Sequence, residues 1–502
     1  MSWFWWAVCA LAGIVLVLGL VDISQKRHAV RRNFPVVGRL RYFLERIGPE
    51  LRQYIVTGND EERPFSRDQR RWVYSAAKRE NTYFGFGTDN KMADPDYPLI
   101  RHSAFPHHSA GASETSPIPV AKVMGEWRQR EAAFRPESVV NISAMSFGSL
   151  SANAVEALNR GAALAGCWHN TGEGGISRHH RHDGDLVLQL GTGYFGARGK
   201  DGKFDLSVLQ ALVESAPVRA IELKLSQGAK PGLGGVLPAA KVTSEIAAAR
   251  GVQVGQTVYS PANHDQFDSV RGLVCFIERI GDATGLPVGI KSAVGEAGFW
   301  RELADEMVDK RQGPDFITID GGEGGTGAAP LVFSDHVALL FKAGFAEVFA
   351  TFAERSMHEQ VVWIGSGKLG FPEQVLVAMA LGADAVAVAR EPMMAAGCIQ
   401  AQRCHTGHCP TGVATQSRWL MRGLDPTDKA ARVANYVTAL RHGLLQLTHA
   451  CGKAHPAMVG GASIELLGDG GELVDLYSRY GYSPDWFTAS KDRLAAAADL
   501  MA

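Results

Sequence analysis

The sequence predicts an α/β fold, a (β/α)8 TIM barrel with an N-terminal transmembrane helix and helical extensions. Three observations carry the prediction. Between Val139 and Ala389, eight short β-branched or apolar runs alternate with helix-patterned stretches, each run ending in a loop of small residues. The loops after the last two runs, Gly365-Ser-Gly-Lys368 and Ala389-Arg390, have the make-up of a barrel phosphate site. An unbroken apolar run, WFWWAVCALAGIVLVLGLV, fills residues 3–21, close to the about 20 residues a bilayer-spanning helix needs. A doubly wound open sheet is the alternative, but eight strand candidates with phosphate-type loops at the last pair favour closure. The chain divides into a span (3–21), a helical and loop extension (22–135), the barrel (136–416) and a C-terminal helical extension (417–502).

Taken in order, the apolar run comes first. Trp3, Trp5 and Trp6 sit where an interfacial aromatic belt belongs. Lys26, Arg27, Arg31 and Arg32 follow the run and nothing basic precedes it, which places the C-terminal side in the cytoplasm. A cleaved signal would need a basic segment before the run and small residues at a cleavage site. The expectation is a retained single-pass anchor in the inner (plasma) membrane. Net charge is −1 over 502 residues, so no global field attracts nucleic acid. Seven cysteines, three of them clustered, do not form a disulfide framework and point to a reducing compartment.

Within the extension, Tyr42 to Ile55 has helical spacing that Gly48-Pro49 can split in two. Phe65 to Arg79 reads as an exposed helix anchored by Trp72 and Tyr74. His102, His107 and His108 lack a matching carboxylate pattern and are not taken as a metal site. The eight strand candidates are Val139–Ser143, Ala165–Asn170, Leu186–Leu190, Ala220–Leu225, Pro287–Lys291, Phe316–Ile319, Val361–Ile364 and Ala385–Ala389. Helix candidates between them include Ala152–Ala165, Leu206–Ser215, Ala239–Arg250, Val270–Thr284 and Phe371–Leu381. Beyond Gln416 a helix is expected at Thr427–Thr448, with Tyr477, Tyr480, Tyr482, Trp486 and Phe487 covering the barrel.

Barrel chemistry sits on the loops at strand C-termini. The first strand runs into Ser143-Ala144-Met145-Ser146-Phe-Gly148, where small side chains let backbone approach a flat ring and Met145 can lie on its face; Ser149 or Ser151 can equally be a helix cap. The second ends in His169-Asn-Thr-Gly-Glu173-Gly-Gly175, where flanking glycines open Glu173 to a substrate amine or to proton transfer; alone, it reads as a solvated loop glutamate. Gln227-Gly-Ala-Lys230-Pro-Gly follows the fourth strand, a cation on a glycine-rich turn suited to a carboxylate. Lys291 closes the fifth, where an ammonium can face the electron-rich edge of a reduced flavin or simply snorkel. The sixth delivers Asp320-Gly321-Gly322-Glu-Gly-Gly-Thr-Gly327. Gly365, Ser366, Gly367 and Arg390 complete the phosphate end.

After the eighth strand comes Cys398-Ile-Gln-Ala-Gln-Arg-Cys404-His-Thr-Gly-His-Cys409, a C-x5-C-x4-C run. Three thiols in one loop can share one inorganic centre, and thiolates favour iron–sulfur clusters or zinc. A structural zinc knot completed by His405 or His408 stands beside the cluster as an alternative.

With these loops in order, the chain from about Val139 to Gln416 resembles the FMN-binding synthase domain of glutamate synthase. The stretches that carry the resemblance are SAMSFGSLS, NTGEGG, QGAKPGLGG, LPAAKV, DGGEGGTGAAP and GCIQAQRCHTGHCPTGVATQ. It implies FMN, a [3Fe-4S] cluster, and conversion of 2-oxoglutarate plus ammonia to glutamate through 2-iminoglutarate. It also implies that Cys398, Cys404 and Cys409 hold the cluster and that Gln189 and Lys291 touch FMN, with Ala144, Met145, Ser146, Gly321, Gly322, Gly365, Ser366, Gly367 and Arg390 around it. Glu173 and Lys230 face the oxoacid as catalytic residues, joined by Ser149 and Gln227. One departure stands out: Thr192-Gly-Tyr194-Phe-Gly196 carries Tyr194 where the family has an arginine, with Arg198 nearby in sequence, and this opens the identity of the acid. The family's N-terminal glutaminase domain is replaced here by the apolar run, so ammonia is expected from outside. No strand-G-x-G-x-x-G-helix unit stands out, so ferredoxin or a reductase subunit is the expected electron donor. An FMN oxidoreductase for another acid, or a membrane redox module without catalysis, are the competing readings.

Overall fold

The computed structural model describes residues 3–25, 28–83, 85–108, 117–487 and 491–501. Lys26 and Arg27 of the basic flank lie outside these residues. The chain forms two compact units, Met1–Arg71 with Thr88–Asn90, and Trp72–Gly87 with Lys91–Ala502.

The larger unit is built on eight parallel strands, one on each run read from the sequence. These are β1 (Val140–Ile142), β2 (His169–Asn170), β3 (Leu186–Leu190), β4 (Val218–Lys224), β5 (Val288–Ser292), β6 (Phe316–Asp320), β7 (Val362–Ser366) and β8 (Ala385–Val388). Each pairs with its sequence neighbour and β8 pairs with β1, which closes the barrel. Parallel strands covered by helices are buried on both faces and read as continuous apolar runs; β1, β3, β5, β6, β7 and β8 are buried at every position. The centre is not wholly apolar. Glu222 of β4 is 3% exposed and accepts from Asn170 Nδ2 at 2.8 Å, Gln189 Nε2 at 2.7 Å and Thr318 Oγ1 at 2.7 Å. One carboxylate thereby ties β2, β3 and β6 to β4.

Helices pack outside the ring. Ser151 caps Ala152–Ala165 by accepting from the Ala154 amide, and Gly166 ends it in the left-handed conformation. Val270–Thr284 is capped in the same way by Ser269 and ends at Gly285. The long C-terminal helix, Pro426–Ala450, packs on Ala152–Ala165 and on Pro372–Ala380. Three elements differ from expectation. Ala239–Arg250 is not one helix but a 3-10 turn, Ala239–Lys241, followed by Ser244–Arg250, because the Thr243 side chain caps the second piece in extended backbone. The β4–β5 connection also carries a short antiparallel pair, Val236–Leu237 with Val258–Tyr259. In the smaller unit, one helix, Gly38–Leu51, runs through Gly48-Pro49 into a wide turn, Arg52–Val56; a proline removes one amide donor but need not end the turns on either side.

At the bottom of the barrel, Arg130 is buried against Glu278 and Asp315, each at 3.0 Å, and Arg128 reaches Glu278 at 3.0 Å. The C-terminal aromatics cover the outer face as expected. Tyr482 and Phe487 pack on Phe349 of helix Phe341–Ala353 with ring centroids 5.5 and 5.4 Å away, and Tyr482 donates to the Leu381 carbonyl. His107 packs its ring against His449 at 5.0 Å. In the smaller unit, Trp3–Ser24 is a helix long and apolar enough to cross a membrane by length and composition.

Candidate active site

Every sequence-predicted site residue except those of the cysteine loop lies at or just past the C-terminal end of a barrel strand. Glu173 follows β2, Gln189 is in β3, Gln227 and Lys230 follow β4, Lys291 is in β5, Gly321 and Gly322 follow β6, Gly365 and Ser366 end β7 and Arg390 follows β8. A small pocket opens there, lined by Glu173, Gln227 and Lys230 together with Thr192, Lys224 and Ser226. Ser149 does not line it; its hydroxyl pairs with that of Ser146 at 2.9 Å on the β1 loop.

The pocket is organised around one carboxylate. Lys224, the last residue of β4, places its ammonium 3.1 Å from Glu173 Oε1. Burial works to raise the Glu173 carboxyl, but Lys224, with Lys230 and Arg250 behind it, outweighs burial and holds it below its ordinary range. Glu173 is therefore a carboxylate at neutral pH. Lys230 is pushed the other way, down from its ordinary value, chiefly by burial and then by Lys224. Arg250, on the helix after the 3-10 turn, is 5% exposed and donates to the Phe147 carbonyl at 3.3 Å. It links the β1 loop to the back of the pocket. Gly191 packs against Glu173 so closely that a Cβ would overlap the carboxylate.

Tyr194 is buried, not aimed at the pocket mouth. Its backbone is in the left-handed region (φ 46°), and its hydroxyl lies 2.7 Å from His264 Nδ1, while His264 Nε2 lies 2.9 Å from the Lys224 carbonyl. A carbonyl only accepts, so Nε2 carries the proton and Nδ1 accepts from the tyrosine. Burial lowers His264 below its ordinary value and pushes Tyr194 up, which keeps both neutral. The chain Tyr194 to His264 to the Lys224 backbone thus holds the residue that pairs with Glu173. Arg198 does not take the place of the absent arginine: it donates to the Gly202 carbonyl at 2.7 Å and lies over the Phe195 ring. Lys224, Arg250 and His264 were not singled out in the sequence. Lys224 alone had a usable signal, a cation next to the last position of the predicted strand Ala220–Leu225.

Lys291 is 6% exposed, and among the described residues its polar contacts are long, 3.5 Å to Ser143 Oγ and 3.7 Å to Asp320 Oδ2. Gln189 turns its amide nitrogen inward to Glu222. Asp320 accepts from the Gly228 amide at 3.0 Å, and Gly228 lies against the Gly321 carbonyl, which joins the β4 and β6 loops. Arg390 donates to the Glu323 carbonyl at 2.7 Å.

The cysteine loop spans the mouth. Gln416 at its end donates to the Gly148 and Leu150 carbonyls of the β1 loop, and Gly327 of the β6 loop lies beside Cys404. Tyr74 donates to the Cys398 carbonyl at 2.8 Å. Burial pushes the Cys398 thiol up to about 11, with Cys404 and Cys409 adding to the effect. At Cys409 burial acts the same way, but donors from Ala414, Thr411 and Val413 outweigh it and pull the thiol below its ordinary value. The three thiols thus sense one another in one loop. Among the described residues, no group of three His, Cys, Asp or Glu side chains is gathered closely enough to hold a metal ion, which applies alike to the zinc knot and to a cluster on the three cysteines.

Comparison with known proteins agrees with this reading of the barrel. The family model "Conserved region in glutamate synthase" matches residues 113–454. The glutamate synthase large subunit-like protein YerD of Bacillus subtilis is 36% identical over 490 residues, 91% of this chain and 93% of that protein. The archaeal NADPH glutamate synthase of Methanocaldococcus jannaschii is 36% identical over 319 residues, and the match spans 63% of this chain and 59% of that one. Among solved structures, the flavin-binding domain of baker's yeast flavocytochrome b2 overlays with a TM-score of 0.43 at 13% identity, over 79% of this chain and 78% of that one, too loosely for residue-by-residue correspondence. On the extent of the family-model match and of the match to YerD, the chain belongs to the glutamate synthase family and is a glutamate synthase-like oxidoreductase.

Proposed function

We propose that the barrel binds FMN and a [3Fe-4S] cluster and reductively aminates 2-oxoglutarate to glutamate through 2-iminoglutarate, with ammonia supplied from outside the chain. The observation that carries this reading is the pocket in which Glu173 meets Lys224 and Lys230 at the strand ends. A carboxylate among cations suits a small acid that must also receive an amine.

The donor set suits the flavin, and the cysteine loop carries the thiols a cluster would need, though they are not gathered as a metal site among the described residues. Lys291 is a buried ammonium whose partners are all distant, which suits the electron-rich edge of a flavin. Ala144, Met145 and Ser146 of the β1 loop, the glycines of the β6 and β7 loops, and Arg390 are the residues that would surround it. For the cluster, Cys398, Cys404 and Cys409 supply thiolates on a loop whose amides already favour the ionised sulfur of Cys409. When bound, FMN supplies a hydride to the imine carbon and the cluster supplies single electrons in relay.

The chain's own residues handle binding and protons. Lys224 and Lys230 pair with the carboxylates of the oxoacid. Glu173, ionised at rest, takes a proton from ammonium and frees the nucleophile that condenses with the keto carbon; the same carboxyl then returns the proton to the departing water. Electrons reach the chain from ferredoxin or a reductase subunit, and Trp3–Ser24 holds the barrel to the cytoplasmic face of the inner membrane. A second reading, an FMN and iron–sulfur oxidoreductase for another oxo or amino acid, is favoured by Tyr194 standing where a cation is expected.

Anaerobic purification of the full chain, followed by visible and electron-paramagnetic spectra, tests the cofactors. Reoxidation of the reduced protein by candidate oxoacids with ammonium tests the substrate. Selective reoxidation by 2-oxoglutarate plus ammonium supports the first reading, and selective reoxidation by another oxoacid supports the second. A colourless protein overturns both. Cys404→Ser should remove the cluster signal and turnover with a protein donor while flavin stays bound; unchanged turnover would overturn the cluster's role.

A further inference from the structure

Residues 28–56 carry Arg31, Arg32, Arg39, Arg41, Arg46 and Arg52 against Glu45 and Glu50. On helix Gly38–Leu51, steps of 100° per residue bring Leu40, Phe43, Leu44, Ile47 and Leu51 to one arc, with Arg39 and Arg46 along one edge and Arg41 along the other. That apolar arc is exposed: Leu40 is 57%, Phe43 56% and Leu44 50% exposed, and Ile55 in the following turn is 73% exposed. An apolar strip of this length is not left in water by a stable soluble surface.

The start of this helix is fixed to the end of the apolar one. Asp22, in the last turn of Trp3–Ser24, is 1% exposed and accepts both Arg39 Nε and Arg39 Nη2 at 2.8 Å, together with the Val36 amide at 3.0 Å. Val36 is a β-branched residue held at φ 65°, a conformation that needs such support. The clasp makes the exposed strip begin where the apolar helix ends.

We propose that Gly38–Leu51 and its Arg52–Val56 continuation lie in the headgroup layer of the leaflet on the barrel's side, with the apolar arc among acyl chains and the arginines on anionic phospholipid headgroups. The proposal rests on Trp3–Ser24 being a retained span. Lipid is the occupant because the strip is continuous with that span, which brings it to the bilayer surface, and because, with Arg39 taken by Asp22 and Arg41 beside Glu45, Arg31, Arg32, Arg46 and Arg52 stand against Glu50 and match anionic phosphates.

The test uses the full chain in neutral detergent, in phosphatidylcholine vesicles, and in vesicles with about a third phosphatidylglycerol, barrel facing out. Trypsin cleavage after Arg41, Arg46 and Arg52 is timed, and resistance to alkaline carbonate extraction reports the span. Cleavage should be about tenfold slower in the anionic vesicles than in detergent and intermediate in neutral ones. Phe43→Glu with Leu44→Glu should restore the detergent rate while the protein stays in the carbonate pellet. Arg46→Gln with Arg52→Gln, which spares the apolar arc, should erase the difference between the two lipid mixtures at Arg41. Equal cleavage in anionic vesicles and detergent, or slow cleavage retained by the double glutamate variant, overturns the proposal and leaves the span intact. Extraction of the wild-type chain by carbonate overturns the span and the proposal together.

Discussion

Glu173 is held ionised by Lys224, Lys230 and Arg250 against the pull of burial. Glu173→Gln keeps the shape of the side chain but removes the proton acceptor. Turnover should fall by about 10²–10⁴-fold, the usual worth of a positioned general base, with flavin absorbance retained; steady-state kinetics beside the visible spectrum check it. Tyr194 acts at one remove. Tyr194→Phe deletes the donor to His264 Nδ1 and leaves a buried acceptor unmatched, at about 1–3 kcal/mol. Urea denaturation reads that loss. A change in the pH profile of turnover, recovered in no other core variant of equal stability, separates positioning of Lys224 from general weakening. Glu173 and Lys230 were legible because glycines frame them and each stands just past a strand. His264 was not: it lies 70 residues from Tyr194, in an irregular loop whose partner is decided by folding and not by spacing. The resemblance flagged Tyr194 as a departure, but its burial and its left-handed backbone were invisible before the fold.

At the level of elements, seven of the eight strands were legible because strands buried on both faces leave continuous apolar runs, whereas β2 is only His169–Asn170 and was placed by the end of the run Ala165–Asn170. The pair Val236–Leu237 and Val258–Tyr259 was not, since two-residue strands carry no period. Ala239–Arg250 has helical composition throughout, and only the Thr243 cap divides it. Gly228 joins two such elements: its amide donates to Asp320, and a Cβ would overlap the Gly321 carbonyl. Gly228→Ala should therefore force the β4 and β6 loops apart, at about 1–3 kcal/mol by the usual worth of overpacking. Thermal melts and the fraction of flavin retained on gel filtration measure it; an unchanged melt with full flavin would show that the loops separate freely.

Across the whole molecule, several histidines are buried uncharged. Burial pushes His169 from its ordinary 6.5 down to about 3, His180 well below its ordinary value, and His455 below it as well. The unfolded chain takes up protons as pH drops past about 6.5, while the folded barrel declines them until much lower. Stability is therefore fully present above that value and falls as pH decreases toward about 3. His169→Phe, which removes a ring with neither nitrogen partnered, should make the fall shallower; urea midpoints across that range decide it, and an identical slope in the variant would remove His169 from the account. The length of the apolar helix Trp3–Ser24 was plain in the sequence, but the Asp22 clasp was not, because a lone aspartate ending an apolar run carries no sign of its partner 17 residues on. Glu222 has a last consequence. Its three bonds fasten β2, β3 and β6 to β4 without any residue of the upper loops. The upper loops can thus be exchanged for those of a relative with different substrate preference, and the chimera should still assemble.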